Sequence, residues 1–167
     1  MKLLTFLINL PFMLESPIEQ RKKAFKAIIE KYGFEYACKI EQAVRNESRH
    51  FKSAQWKECK TPGMRVMSDK FPYAWSSLEQ WRKMVDLSKE SFSKGKYYQT
   101  KEGKLNYIVF PSEYFGILFF AWFIKNKRAG NVAMWYRSGN KPSDIQGRET
   151  YMKINNAINP SICKSLR

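Results

Sequence analysis

The run Tyr114-Phe115-Gly116-Ile117-Leu118-Phe119-Phe120-Ala121-Trp122-Phe123-Ile124 constrains this chain more than any other segment. It is too short to cross a bilayer, which takes about 20 apolar residues, so the rest of the chain must cover it. With Ser112-Glu113 ahead and Lys125 behind, the pattern predicts a buried helix over 112–125. Phe115, Leu118, Phe119, Trp122 and Phe123 would line its apolar face. A chain of 167 residues can wrap one such helix in a single core, and 44% apolar content with 16% aromatic residues is that of a folded domain.

The other patterns supply the wrapping. Ser16 is placed as a helix cap, Pro17 as the first helical residue and Glu19 as the partner in a capping box, so a helix should run to about Lys31, with Gly33 after its end. A second helix is predicted over 35–51, with Tyr36, Ala37, Ile40, Ala43 and Val44 at three-and-four spacing. Thr61-Pro62-Gly63 marks a turn. Ser76-Ser77-Leu78-Glu79 opens a third helix with Leu78, Trp81, Met84 and Val85 on one face. Residues 88–103 are polar and lysine-rich and read as an exposed excursion, whereas Tyr107-Ile108-Val109-Phe110 fits a strand. Val132 to Tyr136 is a short segment after Gly130, and a last helix over 147–158 should stop before Pro160. The expectation is a mainly α single domain with at most a small β-hairpin. Its parts would be an N-terminal apolar segment (1–16), a body (17–160) and a basic tail (161–167).

The apolar start, Lys2 followed by Leu3 to Leu10, resembles an export signal in composition. It lacks a small-residue cleavage site, because Pro11-Phe12-Met13-Leu14-Glu15 follows directly, so it is expected to pack on the domain. Thirty Lys and Arg against fifteen Asp and Glu give a net charge of +15, spread along the chain. Such a field attracts polyanions of any kind: nucleic acid, anionic lipid or a bacterial wall. The sequence carries no helix-turn-helix, zinc-finger or single-strand-binding signature to match a nucleic-acid reader. Cys38, Cys59 and Cys163 are odd in number and widely spaced, and His50 is the sole histidine, so no metal site is expected.

One residue breaks the apolar pattern of the second helix. Glu47 and Phe51 fall on the face of Ala43 and Val44, so the Glu47 carboxylate should be incompletely solvated near the negative end of the helix. Desolvation and the helix dipole both raise a carboxyl pKa there, which suits a general acid at neutral pH. Glu47 is therefore the candidate catalytic residue. Arg45, Arg49 and Lys52 are near enough in sequence to pair with it instead as an ordinary surface charge.

Three segments in order, covering most of 31–158, resemble the lysozyme-like peptidoglycan hydrolases, that is, the soluble lytic transglycosylases and the bacterial and phage glucosaminidases. Lys31-Tyr32-Gly33-Phe34 leading to Glu47-Ser48 resembles the helix that ends in the family's catalytic Glu-Ser. Ser53-Ala54-Gln55-Trp56 through Thr61-Pro62-Gly63-Met64 is similar to the loop that follows it, and Pro72-Tyr73-Ala74-Trp75-Ser76 to an aromatic segment of glucosaminidase-type members. Asn131-Val132-Ala133-Met134-Trp135-Tyr136 and then Arg148-Glu149-Thr150-Tyr151 resemble the family's late pair, whose final aromatic, here Tyr151, lies beside the catalytic glutamate. Tyr136-Arg137 stands where many transglycosylases have Tyr-Asn, Arg49 where glycine is common, and Gly63-Met64-Arg65 replaces Gly-Leu-Met-Gln.

The resemblance implies a lysozyme-like fold in which Glu47 protonates the leaving glycosidic oxygen of a bacterial peptidoglycan strand. It further implies Ser48 and Tyr151 as orienting groups, and Trp56, Tyr73, Trp75, Trp135 and Tyr136 as sugar-stacking candidates whose competing role is core packing. Asp69 and Glu58 are the candidates for a second acid. Alternatively, the substrate's own acetamido group serves as nucleophile and one glutamate suffices. No cofactor or metal is implied. Expected partners are peptidoglycan and other virion proteins, with the protein in a phage particle or the host envelope or periplasm. The rival reading from charge and interleaved aromatics is a small basic nucleic-acid-binding viral regulator without catalysis.

Overall fold

The apolar run becomes the central helix around which everything else packs. The computed structural model describes residues 15–64, 66, 73–100 and 103–167. Its elements in order are α1 (Pro17–Tyr32), α2 (Phe34–Ser48), α3 (Ala54–Cys59), α4 (Tyr73–Met84), β1 (Ser93–Thr100), β2 (Gly103–Val109), α5 (Glu113–Lys127), α6 (Val132–Tyr136), α7 (Pro142–Asn156) and α8 (Ser161–Ser165). The fold is mainly helical with one two-stranded antiparallel sheet. No helix of the described residues is long and apolar enough to cross a membrane.

α5 is buried on more sides than a single apolar stripe allows. Ile117, Phe119, Phe120, Ala121 and Ile124 are fully enclosed, whereas Phe115 and Leu118, expected on the buried face, are only partly covered. A helix hydrophobic all round is a core helix, and α1, α2 and α4 pack against this one. The closest approach is at Gly116: a methyl group there would sit 1.8 Å from the Lys60 carbonyl oxygen, and the Thr61 hydroxyl donates to the Gly116 carbonyl at 3.1 Å. The absence of a side chain lets the turn after α3 run directly over α5.

α1 starts at the expected cap, with the Ser16 hydroxyl accepting from the Glu19 N–H at 3.2 Å and Pro17 in the first turn, while the Glu19 carboxylate faces Lys22 at 3.8 Å. It gives way to α2 through Gly33 at φ 94°, a conformation that only glycine adopts without strain. α2 stops at Ser48, short of the expected 51, because Arg49, His50 and Phe51 all take positive φ (49°, 56° and 66°).

Other boundaries also shift. α4 begins at Tyr73, ahead of the Ser76 expected, and ends at Met84. Leu78 and Trp81 are buried as expected, but Met84 and Val85, at the end of the helix and just beyond it, are 61% and 39% exposed. The second half of the polar excursion is not free: it pairs as β1 with β2, from Ser93 opposite Val109 to Thr100 opposite Gly103, with a register shift between Lys94 and Tyr97. β2 in turn binds the segment after α3, the Ile108 N–H donating to the Met64 carbonyl and the Val66 N–H to that of Asn106. α7 begins at Pro142, not 147, with the proline in its first turn.

The expected basic tail over 161–167 carries a docked element, the helix Ser161–Ser165. α8 packs on α1 and α2, Cys163 is buried, and the Glu41 carboxylate accepts from the backbone N–H groups of Ile162 (2.9 Å) and Cys163 (2.8 Å). Arg45 completes the arrangement, 2.9 Å from Glu41. Residues 1–14 of the expected N-terminal segment lie outside the described residues.

A cleft where helix α2 meets α6 and α7

Glu47 occupies the last turn of α2 and is partly buried. Two side-chain ties hold that helix against the α7 region: the Asn46 amide donates to the Asn155 side-chain oxygen at 2.8 Å, and the Gln42 amide donates to the Ile158 carbonyl at 2.9 Å. Between α2, α6 and α7 lies a cleft of about 510 Å³ whose wall includes Asn46, Glu47, Tyr136, Arg137, Thr150 and Tyr151. Residues far apart in sequence therefore share one concavity within the size range of small-ligand clefts.

Burial pushes the Glu47 carboxyl above the ordinary glutamate range, and the nearby Tyr151 hydroxyl partly opposes this by favouring the anion. The same hydroxyl is itself held firmly protonated, first by burial and then by the negative charge of Glu47. It lies close to Glu47 and Asn155 without a hydrogen bond of standard geometry to either.

Glu47 differs from the two other glutamates removed from solvent. Glu41 has Arg45 and two backbone N–H groups. Glu113, at the start of α5, takes a two-pronged contact from Arg21 (2.7 and 3.0 Å) and a hydrogen bond from the Trp56 indole. Both are saturated carboxylates that lock elements together. Among the described residues no Lys or Arg forms an ion pair with Glu47; the neighbours Arg45, Arg49 and Lys52 do not neutralise it.

The turn after Glu47 carries the longest run of positive-φ backbone among the described residues. Three successive non-glycine residues in the left-handed region cost on the order of 1–3 kcal/mol each, so the surroundings must impose them. They do so through Ser48 and Phe51. The buried Ser48 hydroxyl accepts the Phe51 N–H at 2.8 Å, and the Phe51 ring lies 4.0 Å from the Arg21 guanidinium and 5.0 Å from that of Arg45, edge-on to Trp56. Ser48, expected to orient Glu47, thus holds the chain reversal behind it.

The stacking candidates separate sharply. Tyr136 of α6 lies flat on Tyr151 of α7, with centroids 4.3 Å apart and planes 5° from parallel, and both face the cleft. Trp56 is 1% exposed and committed to Glu113. Trp135 is partly buried edge-on against Phe120, at 5.1 Å, and Trp75 lies beneath the Lys94 ammonium, 5.5 Å away; neither borders the cleft. Tyr73 starts α4, but its side chain, like Asp69 as a whole, lies outside the described residues. Glu58 is exposed on α3 and is not part of the cleft wall, so Glu47 is the one carboxylate among the described residues lining it.

Sequence reasoning passed over Arg137, Asn46 and Thr150. The only signal was that Arg137 stands at a departure from the resembled pattern. It also passed over Glu41, although that residue, four after Ala37 and three before Val44, meets the same spacing test as Glu47. Among the described residues no cluster of three His, Cys, Asp or Glu side chains could hold a metal ion. Comparison of the chain with protein-family models, curated proteins and solved structures finds no match.

Proposed function

We propose that this chain is a peptidoglycan-degrading glycosidase or lytic transglycosylase in which Glu47 is the general acid. The observation that carries the reading is that Glu47, unpaired and with a raised pKa, shares a cleft with the stacked pair Tyr136 and Tyr151. A carboxyl group whose pKa is raised by burial holds its proton to higher pH than an ordinary glutamate and can deliver it to a leaving glycosidic oxygen as positive charge builds on the sugar ring. The charge left on Glu47 is then stabilised by the Tyr151 hydroxyl.

With one carboxylate on the cleft wall, the proposed nucleophile is the acetamido oxygen of the substrate sugar, which attacks the anomeric carbon from the opposite face. Tyr136 and Tyr151 offer aromatic surface against which an apolar sugar face packs. The +15 charge retains the protein on an anionic wall, consistent with work in a phage particle or at the host envelope.

The test is clearing of purified Gram-negative and Gram-positive peptidoglycan by the native protein and by Glu47→Gln. Clearing by the native protein with a loss of about a hundredfold or more in the variant supports the assignment. Equal clearing by both removes Glu47 from the mechanism. If neither clears any substrate, the glycosidase reading fails and salt-sensitive binding of nucleic acid becomes the reading to test.

A further inference from the structure

Arg137 is held on the cleft wall by more structure than an exposed arginine ordinarily receives. Its side chain lies across α7 at Gly147, where a methyl group would approach the Arg137 Cδ to 2.9 Å and Nε to 3.1 Å. Glycine inside a helix costs about 1 kcal/mol relative to alanine, and here its effect is to leave room for that side chain. Asp144 of the same helix stands 3.8 Å from the guanidinium and is itself seated against Gly139, where a methyl group would lie 2.2 Å from its oxygen. The strand of chain between is clamped by Arg148, which donates to the carbonyls of Arg137 and Gly139. The guanidinium also lies 5.7 Å from the Tyr136 ring.

Two glycines, an aspartate and a second arginine thus fix one cation on the wall of the cleft that also holds Glu47. The cation is not used up by these contacts. At 3.8 Å Asp144 attracts it without a hydrogen bond, and among the described residues no acceptor takes a bond from its guanidinium. Its N–H groups, five in all and arranged as a planar fork, match a carboxylate in two-pronged geometry.

We propose that Arg137 is a specificity residue that reads a free carboxylate on the glycan, selecting carboxylate-bearing amino-sugar strands over neutral ones. The proposal rests on the glycosidase reading for the cleft's ligand but not for its measurement, which is binding. Two sources can supply the carboxylate: the lactyl ether of the sugar itself, free once the stem peptide has been removed, or an acid of an attached peptide.

The experiment measures affinity by calorimetry on a Glu47→Gln background, so that turnover does not consume the ligand. The probes are peptide-free glycan oligomers, peptide-bearing oligomers and neutral chitin oligomers of equal length. The expected result is tighter binding of a carboxylate-bearing oligomer than of chitin, with that ratio reduced about tenfold or more by Arg137→Gln and partly restored by Arg137→Lys. Preference for the peptide-free oligomer assigns the lactyl carboxylate, and preference for the peptide-bearing one assigns the peptide acid. Lys153→Gln, which removes an exposed charge of α7 outside the cleft, should leave the ratio in place. An unchanged ratio in Arg137→Gln, an equal effect of Lys153→Gln, or absence of binding by any probe overturns the proposal. Selective binding without hydrolysis by the parent protein would keep it while defeating the catalytic reading.

Discussion

The ring of Tyr136 lies on that of Tyr151 within 5° of parallel, which joins the short helix α6 to the long helix α7 beside Glu47. The contact does two things. It buries the Tyr151 ring, so its hydroxyl cannot be satisfied by bulk water, and it turns a 43% exposed tyrosine into one wall of the cleft.

Glu47 should make the fold less stable at neutral pH than a neutral isostere would. Its folded-state pKa is raised, so the folded protein binds its proton more tightly than the unfolded chain does. The associated stability is present below the unfolded value and is lost as pH rises through the folded value. Glu47→Gln should therefore raise the melting temperature above that range but leave it nearly unchanged below about pH 4. Equal effects at both ends of the pH range would remove burial of the charge as the cause.

Tyr151→Phe should shift the pH dependence of activity and lower its level. The hydroxyl favours the Glu47 anion, so removing it raises the Glu47 pKa further. In the protonated-acid mechanism the alkaline limb of the kcat/KM profile then moves to higher pH. Stability should change little, because the lost hydroxyl is buried without a standard hydrogen bond. A limb that stays in place would show that Tyr151 acts only through packing.

Gly116→Ala should be severely destabilising although alanine is the better helix former. The added methyl group meets backbone, the Lys60 carbonyl, at 1.8 Å, so α5 and the turn after α3 would have to separate. Overpacking of this kind costs about 3 kcal/mol or more, measured as a fall in the urea midpoint. A neutral effect would mean that the two segments are not in contact.

Glu41→Gln should loosen the C-terminal helix. It leaves Arg45 without its charge partner and weakens the bonds to the N–H groups of Ile162 and Cys163, at a cost of about 3 kcal/mol. Deleting residues 161–167 should cost a similar amount, and the two changes together less than their sum, since each removes the same interaction. Strict additivity would show that Glu41 does not hold α8.

The legible parts of the fold are those written by local chemistry. Ser16-Pro17-Ile18-Glu19 specifies a helix start through the Ser16 hydroxyl and the Pro17 ring, and α1 begins there. The end of α2 was not legible, because nothing local forbids helix over Arg49-His50-Phe51. What ends it is the Phe51 ring seated between guanidinium groups of α1 and α2, a contact that exists only once those helices have packed. The lysine-rich stretch before β2 failed for the same reason: its polar residues carry no strand signal until β2 is present to pair with it.

By itself the sequence determined that an apolar run too short for a membrane must become the core of one mainly helical domain with a small hairpin, and it singled out Glu47 by helical periodicity. These follow from hydrophobic burial and backbone geometry, which act over a few residues. The tertiary structure decided which of the glutamates in apolar positions is free. Beside its local partner Arg45, Glu41 meets backbone N–H groups from 121 and 122 residues away, and Glu113 meets an arginine from 92 residues away, whereas Glu47 meets Tyr151; contacts at that range are settled by packing and not by spacing.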